Sequence, residues 1–318
     1  MTAAILFPAL SPVRRNDLGT FLMIHPLARR RLAEADDALG YHLADALADA
    51  PPDDDYAEPV QVAVLVACLA LAEWAEQRLG AAPEYCVGPS FGERAALAYT
   101  GALSFADTVR LVDEIARTER RYFATEHRDV VTHSFVRVPA ERLDALVAGL
   151  EWHDISGRLD ADFHMVSLRE AELAGFKAAI REAGGHSLYT MRPPAHASLF
   201  TGVRAQMEQV YAQYTLSAPR MPILSYQDGA VLTDPQALRA SLLDGFVRPI
   251  RWVDTVRSLC ELGIDRLWVT GPDTMFSRLR TTTEHFDVEL CDLRRVLVRP
   301  RRLSAASRAG SRQSQSVR

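Results

Sequence analysis

The sequence has few of the features that mark several large classes of protein. Its 318 residues include only four cysteines, Cys68, Cys86, Cys260 and Cys291, which lie far apart and show no metal-ligand spacing. This pattern favours small buried thiols over disulfides and predicts no metal site. The formal net charge is −5, which argues against a nucleic-acid-binding protein, although arginine is abundant enough to form local basic patches.

The sequence also lacks an export signal and a membrane span. Its first ten residues, MTAAILFPAL, have neither a basic start nor a cleavage-site pattern. The longest apolar run, at 62–72, is too short to cross a bilayer and continues into charged residues, which is typical of a buried helix with an amphipathic end. We therefore expect a cytoplasmic protein with no membrane partner.

What is present is the composition of an ordinary globular chain, with 48% apolar and 24% charged residues. Strand-like and helix-like segments alternate, and from about residue 129 the order becomes β-α-β-β-α-β. This order predicts a ferredoxin-like subdomain at 128–191, inserted into a larger α/β subdomain formed by 1–127 and 192–300. Residues 301–318 are rich in serine and arginine, and we expect them to be a disordered tail.

The segment GPSFG, residues 88–92, lies between a short apolar run and a helical pattern. Glycines flank Ser90 as they do at a strained strand-to-helix turn that exposes a nucleophilic hydroxyl. At such a turn the backbone N–H of Phe91 would face a developing oxyanion. The pentapeptide alone is weak evidence because glycine and serine are common. The apolar run before it and the helix after it favour a nucleophile.

A serine nucleophile needs a base within hydrogen-bond reach, and nine histidines compete for that role. Eight of them lie in polar helix-like stretches or in the predicted inserted subdomain, where surface or core positions are the default. His196 differs because it follows MRPPA, a run that suits neither a regular helix nor a central strand. It lies on the link between the two subdomains, and it is our candidate base.

Four segments, in the same order and spacing, resemble the malonyl-CoA:acyl-carrier-protein transacylases and the related acyltransferases of polyketide synthases. GPSFGERAALAYTGALSF resembles the family's nucleophile block, which usually begins GHSLGE, and PPAHASLF resembles the segment that carries its catalytic histidine. VRPIRW and VTGPDTMFSRL resemble two further family segments. The resemblance covers about residues 3–298 and implies a hydrolase-like α/β subdomain with an inserted ferredoxin-like one. The active site would lie in the cleft between them.

The resemblance also implies roles for individual residues. Ser90 would be the nucleophile and His196 the base, and a backbone carbonyl near Gly245, rather than a carboxylate, would orient the imidazole. The backbone N–H groups of Phe91 and Leu10 would form the oxyanion hole. No cofactor is expected to be bound, because the phosphopantetheine of a carrier protein, or CoA, serves as the substrate arm.

Several departures from the family pattern concern the acyl group. Malonyl-specific members carry an arginine in the helix after the nucleophile, where it binds the free carboxylate, and Ile115 stands at that position. Arg117 is two residues on, about 200° around the helix, and should face elsewhere. Pro89 replaces a family histidine, and Met165 lies in a stretch that replaces a glutamine-containing one. Met165 is expected either to line an enlarged pocket or to be an ordinary core residue.

These features predict a ping-pong acyltransferase of polyketide or macrolactam biosynthesis. A neutral, non-malonyl acyl group, such as an aminoacyl or dipeptidyl starter, would move from a CoA or carrier-protein thioester through an acyl-serine to an acyl carrier protein. The acidic carrier would dock on arginines, with Arg117, Arg294, Arg295 and Arg299 as candidates. Three alternatives stay open: an editing thioester hydrolase, a malonyl-CoA transacylase and a non-catalytic carrier-docking protein.

Overall fold

The computed structural model describes residues 2–297, which form two β-sheets with helices packed around them. Arg299 and the predicted tail at 301–318 lie outside the described residues. The strands are β1 (Thr2–Leu6), β2 (Tyr85–Val87), β3 (Val130–Val136), β4 (His153–Asp160), β5 (Phe163–Arg169), β6 (His186–Met191), β7 (Ile223–Leu224), β8 (Val231–Leu232), β9 (Ile250–Arg251), β10 (Ile264–Thr270) and β11 (Asp287–Cys291). The helices are α1 (Arg15–Ile24), α2 (Pro26–Leu39), α3 (Leu43–Asp49), α4 (Glu58–Leu79), α5 (Gly92–Thr100), α6 (Phe105–Phe123), α7 (Ala140–Val147), α8 (Leu173–Glu182), α9 (Thr201–Ala212), α10 (Pro235–Asp244), α11 (Trp252–Glu261), α12 (Arg280–Thr283) and α13 (Leu293–Leu297).

The larger sheet has the strand order β11-β10-β1-β2-β7-β8 and is parallel except for the β7–β8 hairpin at one edge. Strands of a parallel sheet are covered on both faces, and β1 accordingly reads as an almost continuous apolar run, TAAIL. Helix α4 is apolar on all sides and packs in the main core. It is long and apolar enough to cross a membrane, but 78% of its most apolar window is buried inside the fold.

The smaller sheet has the order β6-β3-β5-β4, with antiparallel pairing, and is built from the segment β3-α7-β4-β5-α8-β6. This is the ferredoxin-like arrangement that the sequence predicted. Its apolar face forms a separate core with α7 and α8. Strand β9, which belongs to the later part of the chain, pairs in parallel with β4 at Gly157 and Ile250, and it joins the two subdomains in a way that the sequence did not indicate.

Two helical regions differ from what the sequence pattern suggests. The leucine spacing across 25–49 corresponds to two helices, because Gly40 adopts a left-handed conformation (φ 74°) that ends α2. The segment 274–285 forms only a 3-10 turn and the short helix α12. The carboxylate of Asp273 caps the 3-10 turn by accepting hydrogen bonds from the backbone N–H groups of 275–277. The helix does not continue because Leu279 is extended (ψ 136°).

Candidate active site

A sharp turn between β2 and α5 carries Ser90. Ser90 itself has a left-handed backbone (φ 54°), which is a strained conformation for any residue other than glycine. A Cβ atom on Gly88 would lie 2.3 Å from the carbonyl carbon of Gly92, and one on Gly92 would lie 2.0 Å from the carbonyl oxygen of Phe7. Both glycines are therefore required for the turn to pack against β1, and they raise the serine to the end of the sheet.

His196 lies on the link between β6 and α9 and also has a left-handed backbone (φ 58°). Its Nε2 is 2.8 Å from Ser90 Oγ, and its Nδ1 is 2.7 Å from the carbonyl oxygen of Gly245. Because a carbonyl only accepts hydrogen bonds, Nδ1 carries the proton and Nε2 presents a lone pair. The Ser90 hydroxyl therefore donates to Nε2, which is the arrangement that general-base activation needs.

Burial determines the protonation state of this imidazole. His196 is 6% exposed, and burial is the main cause that lowers its pKa, to about 4. The positive charge of Arg94 lowers the pKa further, while the hydrogen bond to Gly245 acts in the opposite direction. At neutral pH the ring is uncharged and able to take the serine proton.

The two predicted oxyanion donors both lie at the nucleophile. Within residues 2–297 neither the N–H of Phe91 nor that of Leu10 donates a hydrogen bond to another protein atom, whereas the next N–H, that of Gly92, is already bonded to the Pro89 carbonyl. Leu10 lines the same cavity as Ser90. Two free donors near a nucleophile suit a developing negative charge, and their role as an oxyanion hole stays a prediction.

Ser90 and His196 face a cavity of about 440 Å³ between the two subdomains. Its walls are mainly apolar, and Met165, which is 6% exposed, is among them, as one of the two sequence interpretations expected. The wall also has two acids and two arginines: Asp160, Asp162, Arg278 and Arg280. The size and lining are those of a site for a largely apolar ligand with a few polar groups.

Comparisons with known proteins agree with this geometry. A family described as the VinK acyltransferase small domain matches residues 134–191. The chain is 27% identical over 286 residues to a malonyl CoA-acyl carrier protein transacylase of Salmonella typhimurium, covering 87% of this chain and 91% of that protein. It is 28% identical over 285 residues to the polyketide biosynthesis protein ThaF of Burkholderia thailandensis, of which the match spans 24%.

Among solved structures, a malonyl-transacylase in complex with a type II polyketide synthase acyl-carrier protein superposes with a TM-score of 0.81 and 20% identity, covering 92% of this chain and 96% of that one. Over most of its length the chain is similar to malonyl-CoA:acyl-carrier-protein transacylases. The similarity identifies it as an acyltransferase, and its hydrolase-like subdomain with an inserted ferredoxin-like one is the fold of those proteins.

The structure does not place Ile115 or Pro89, two residues predicted to shape the acyl pocket, on a cavity wall. Ile115, which the sequence resemblance aligned with a carboxylate-binding arginine, is fully buried in the main core. Pro89 is buried too, because the turn that exposes Ser90 directs its neighbour inward. Of the three predicted pocket residues, only Met165 lines the cavity that contains the nucleophile.

The sequence interpretation missed a cation beside the nucleophile. A second, smaller cavity of about 60 Å³ adjoins Ser90 and His196, and Arg94 and Glu119 are in its wall. Ser90 precedes α5 and has a left-handed backbone, so helical spacing gave no signal that Arg94 shares its cavity. Arg94 comes from α5, whereas the sequence interpretation looked for a substrate-binding cation on α6.

Arg94 is not neutralised by a close ion pair. Its guanidinium is 3.3 Å from Gln61 Oε1 and lies over the ring of Phe91, and no carboxylate of residues 2–297 is within 4.0 Å of its nitrogens. Burial raises the pKa values of Glu93 and Glu119, the two acids of the same cavity. The second cavity is thus polar, with one fixed positive charge and two acids that resist ionisation.

The arginines predicted to form a carrier-docking patch are engaged with nearby carboxylates. Their partners are Asp113 for Arg117 (2.9 Å), Asp17 for Arg294 (3.3 Å) and Glu289 for Arg295. Arg299 lies outside the described residues. The arginines on the wall of the large cavity are instead Arg278 and Arg280, which the sequence did not single out.

Proposed function

We propose that this chain transfers a non-malonyl acyl group to the phosphopantetheine thiol of an acyl carrier protein. The observation that carries the proposal is the pair of Ser90 and His196, 2.8 Å apart, with a neutral imidazole oriented by the Gly245 carbonyl. The carrier protein and the polyketide setting are supported by the relatives, whose names include acyl carrier protein transacylases and a polyketide biosynthesis protein.

The reaction proceeds in two similar halves. Ser90 Oγ attacks the thioester carbonyl and its proton moves to His196 Nε2, while the N–H groups of Phe91 and Leu10 stabilise the oxyanion. The tetrahedral intermediate collapses, the C–S bond breaks and the thiolate takes the proton from the imidazolium, which leaves an acyl-serine. A carrier thiol then attacks that ester, gives its proton to Nε2, and releases Ser90 with its proton restored.

Two features support an acyl group without a free carboxylate. The first is Ile115, which the sequence resemblance aligns with the arginine of malonyl-specific members and whose apolar side chain packs in the main core, so that position supplies no cation. The second is the wall of the large cavity, which is mainly apolar and whose two acids are matched by two arginines. Such a wall favours an acyl group without net charge, and in an aminoacyl or dipeptidyl starter an amine could lie near Asp160.

One observation favours the alternative of a malonyl-type substrate. Arg94 gives the smaller cavity a positive charge beside Ser90, and a guanidinium binds a carboxylate well when water is excluded. We rank this second because this cavity has a volume of only about 60 Å³, whereas the mainly apolar cavity that also contains Ser90 has about 440 Å³.

Intact-mass spectrometry tests the choice of acyl group. The protein is incubated with matched thioesters that differ only at the acyl end: malonyl, a neutral chain of similar length, and a β-aminoacyl group. We expect an adduct on Ser90 from the neutral or aminoacyl donor and little from malonyl, and Ser90→Ala as the control should give none. Preferred malonylation of Ser90 would overturn the argument from Ile115.

A second step separates transfer from hydrolysis. The acyl-enzyme is mixed with a phosphopantetheinylated carrier protein, or with a carrier that lacks the arm. Acyl-carrier should accumulate only with the complete carrier. Release of free acid at the same rate with either carrier would identify an editing hydrolase, and absence of any adduct from all donors would favour a non-catalytic docking protein.

A further inference from the structure

Three buried hydroxyls form a row across the smaller sheet. Thr132 on β3, Ser167 on β5 and Ser156 on β4 are each 0% exposed. Thr132 Oγ1 is 2.6 Å from Ser167 Oγ, which is 2.7 Å from Ser156 Oγ. Most buried hydroxyls in proteins are hydrogen-bonded, and this row ends on an acceptor outside itself.

That acceptor is the backbone of Ala195, the residue before His196. Ala195 N–H donates to Thr132 Oγ1 at 3.0 Å, and the Ala195 carbonyl lies 3.3 Å from Thr132 Oγ1 and 3.4 Å from Ser167 Oγ. One proton per hydroxyl completes the row: Ser156 donates to Ser167, Ser167 donates to Thr132, and Thr132 donates to the Ala195 carbonyl. The backbone N–H and C=O of Ala195 are therefore both bonded to the smaller sheet.

The other side of the histidine is bound by the same sheet. Asp154 on β4 accepts hydrogen bonds from both the N–H and the hydroxyl of Ser198, each at 2.7 Å. His196, between these two attachments, has a left-handed backbone that is unfavourable for a side-chain-bearing residue. Such a conformation persists only where the surroundings hold it in place.

We propose that Thr132, supported by Ser167 and Ser156, is a positioning residue for the catalytic base: it fixes the backbone of Ala195 and thereby aims the His196 imidazole at Ser90. The inserted subdomain then does more than form one wall of the cleft. It holds the histidine in its strained conformation, while the larger subdomain supplies the serine and the Gly245 carbonyl.

The test uses an alkyl fluorophosphonate, which forms a P–O bond to an activated serine with loss of fluoride and needs no knowledge of the natural acyl group. Removing the hydroxyl in Thr132→Val keeps the shape of the side chain but leaves the Ala195 N–H buried without an acceptor. We expect labelling of Ser90 to slow by about tenfold or more. The Thr132→Ser variant retains the hydroxyl and should label at close to the wild-type rate.

Two further readouts distinguish positioning from a general loss of stability. In Thr132→Val the pH below which the labelling rate falls should rise toward 6.5, because a less firmly held histidine becomes more exposed to solvent. Thr108→Val removes an equally buried hydroxyl from α6, far along the chain from this loop. It should change neither the labelling rate nor the pH at which that rate falls. If Thr132→Val does not fold, Ser167→Ala gives the same test, with an expected loss of about threefold or more.

The proposal is overturned if a folded Thr132→Val or Ser167→Ala protein labels with the wild-type rate and pH profile. It is overturned equally if Thr132→Ser is as slow as Thr132→Val, because the hydroxyl would then not matter. Neither result depends on which acyl group or carrier the enzyme uses, so a failure here is distinguishable from a failure of the proposed function.

Discussion

The protonation of His196 gives the most direct prediction about catalysis. Burial lowers the pKa of this imidazole to about 4, so the base stays neutral well below the pH at which an exposed histidine becomes charged. A neutral base with pKa 4 is about 97% available at pH 5.5, whereas an ordinary histidine is only about 9% available, a difference of about tenfold in rate. The perturbation is therefore a drop in pH from 7.5 to 5.5.

The assay is the rate of Ser90 labelling by an alkyl fluorophosphonate, measured between pH 4.5 and 8. We expect a nearly flat profile down to pH 5.5, with the acid limb below it. The groups facing the imidazole are Arg94, Glu93, Tyr226 and Glu119, and burial raises the pKa values of the two acids. Glu119→Gln removes one of these two acids. It should leave unchanged the pH at which the labelling rate falls because His196 becomes protonated.

The lowered pKa of His196 also predicts how the stability of the fold depends on pH. Since the folded pKa is lower than the unfolded one, the unfolded chain gains a proton first as pH falls, and the fold loses stability between pH 6.5 and 4. Circular dichroism at each pH shows whether the protein is still folded during labelling. A folded protein whose labelling rate falls tenfold between pH 7.5 and 5.5 would refute the argument that burial keeps this base neutral.

Two substitutions test the turn and the second cavity. Gly92→Ala should lower the free energy of unfolding by about 3 kcal/mol or more, because the added Cβ would overlap the Phe7 carbonyl oxygen, whereas Gly175→Ala, on an open face of α8, should raise it by about 0.5–1 kcal/mol. Urea unfolding measures both, and equal stabilities would contradict the close approach. Arg94→Met should reduce kcat/KM about tenfold or more for carboxylated donors and little for neutral ones if a malonyl-type group binds in the small cavity. An equal loss for both classes would show that Arg94 supports the fold instead.

Local patterns in the sequence predicted the parts of the fold that depend on neighbouring residues. The helix after the nucleophile occupies 92–100, and Ser104 accepts a hydrogen bond from Asp107 N–H as the capping pattern indicates. The alternating strands of the inserted subdomain are present in the expected order. Within the helix-like segment 274–285 the pattern failed, because Leu279 is extended and separates a 3-10 turn from the short helix α12.

In the candidate site, too, some features were predicted from the sequence and others were not. The glycines around Ser90 indicated the turn, because a Cβ atom at either position would meet backbone atoms. The resemblance to the family placed a carbonyl near Gly245 beside His196, and the structure has it at 2.7 Å. Arg94 was missed because its position on the helix says nothing about which cavity its long side chain enters. Ile115 was assigned to the pocket because sequence position alone does not show that its side chain packs in the core.

The sequence by itself therefore determined the nucleophile turn, the two-subdomain architecture and the choice of histidine, since each rests on residue types at fixed local spacing or on ordered family segments. The tertiary structure alone decided the state of the base. The neutral imidazole results from burial under residues that are distant in the chain, and its aim at the serine depends on hydroxyls from three separate strands. Such contacts join residues that are far apart in the chain, so no local sequence pattern predicts them.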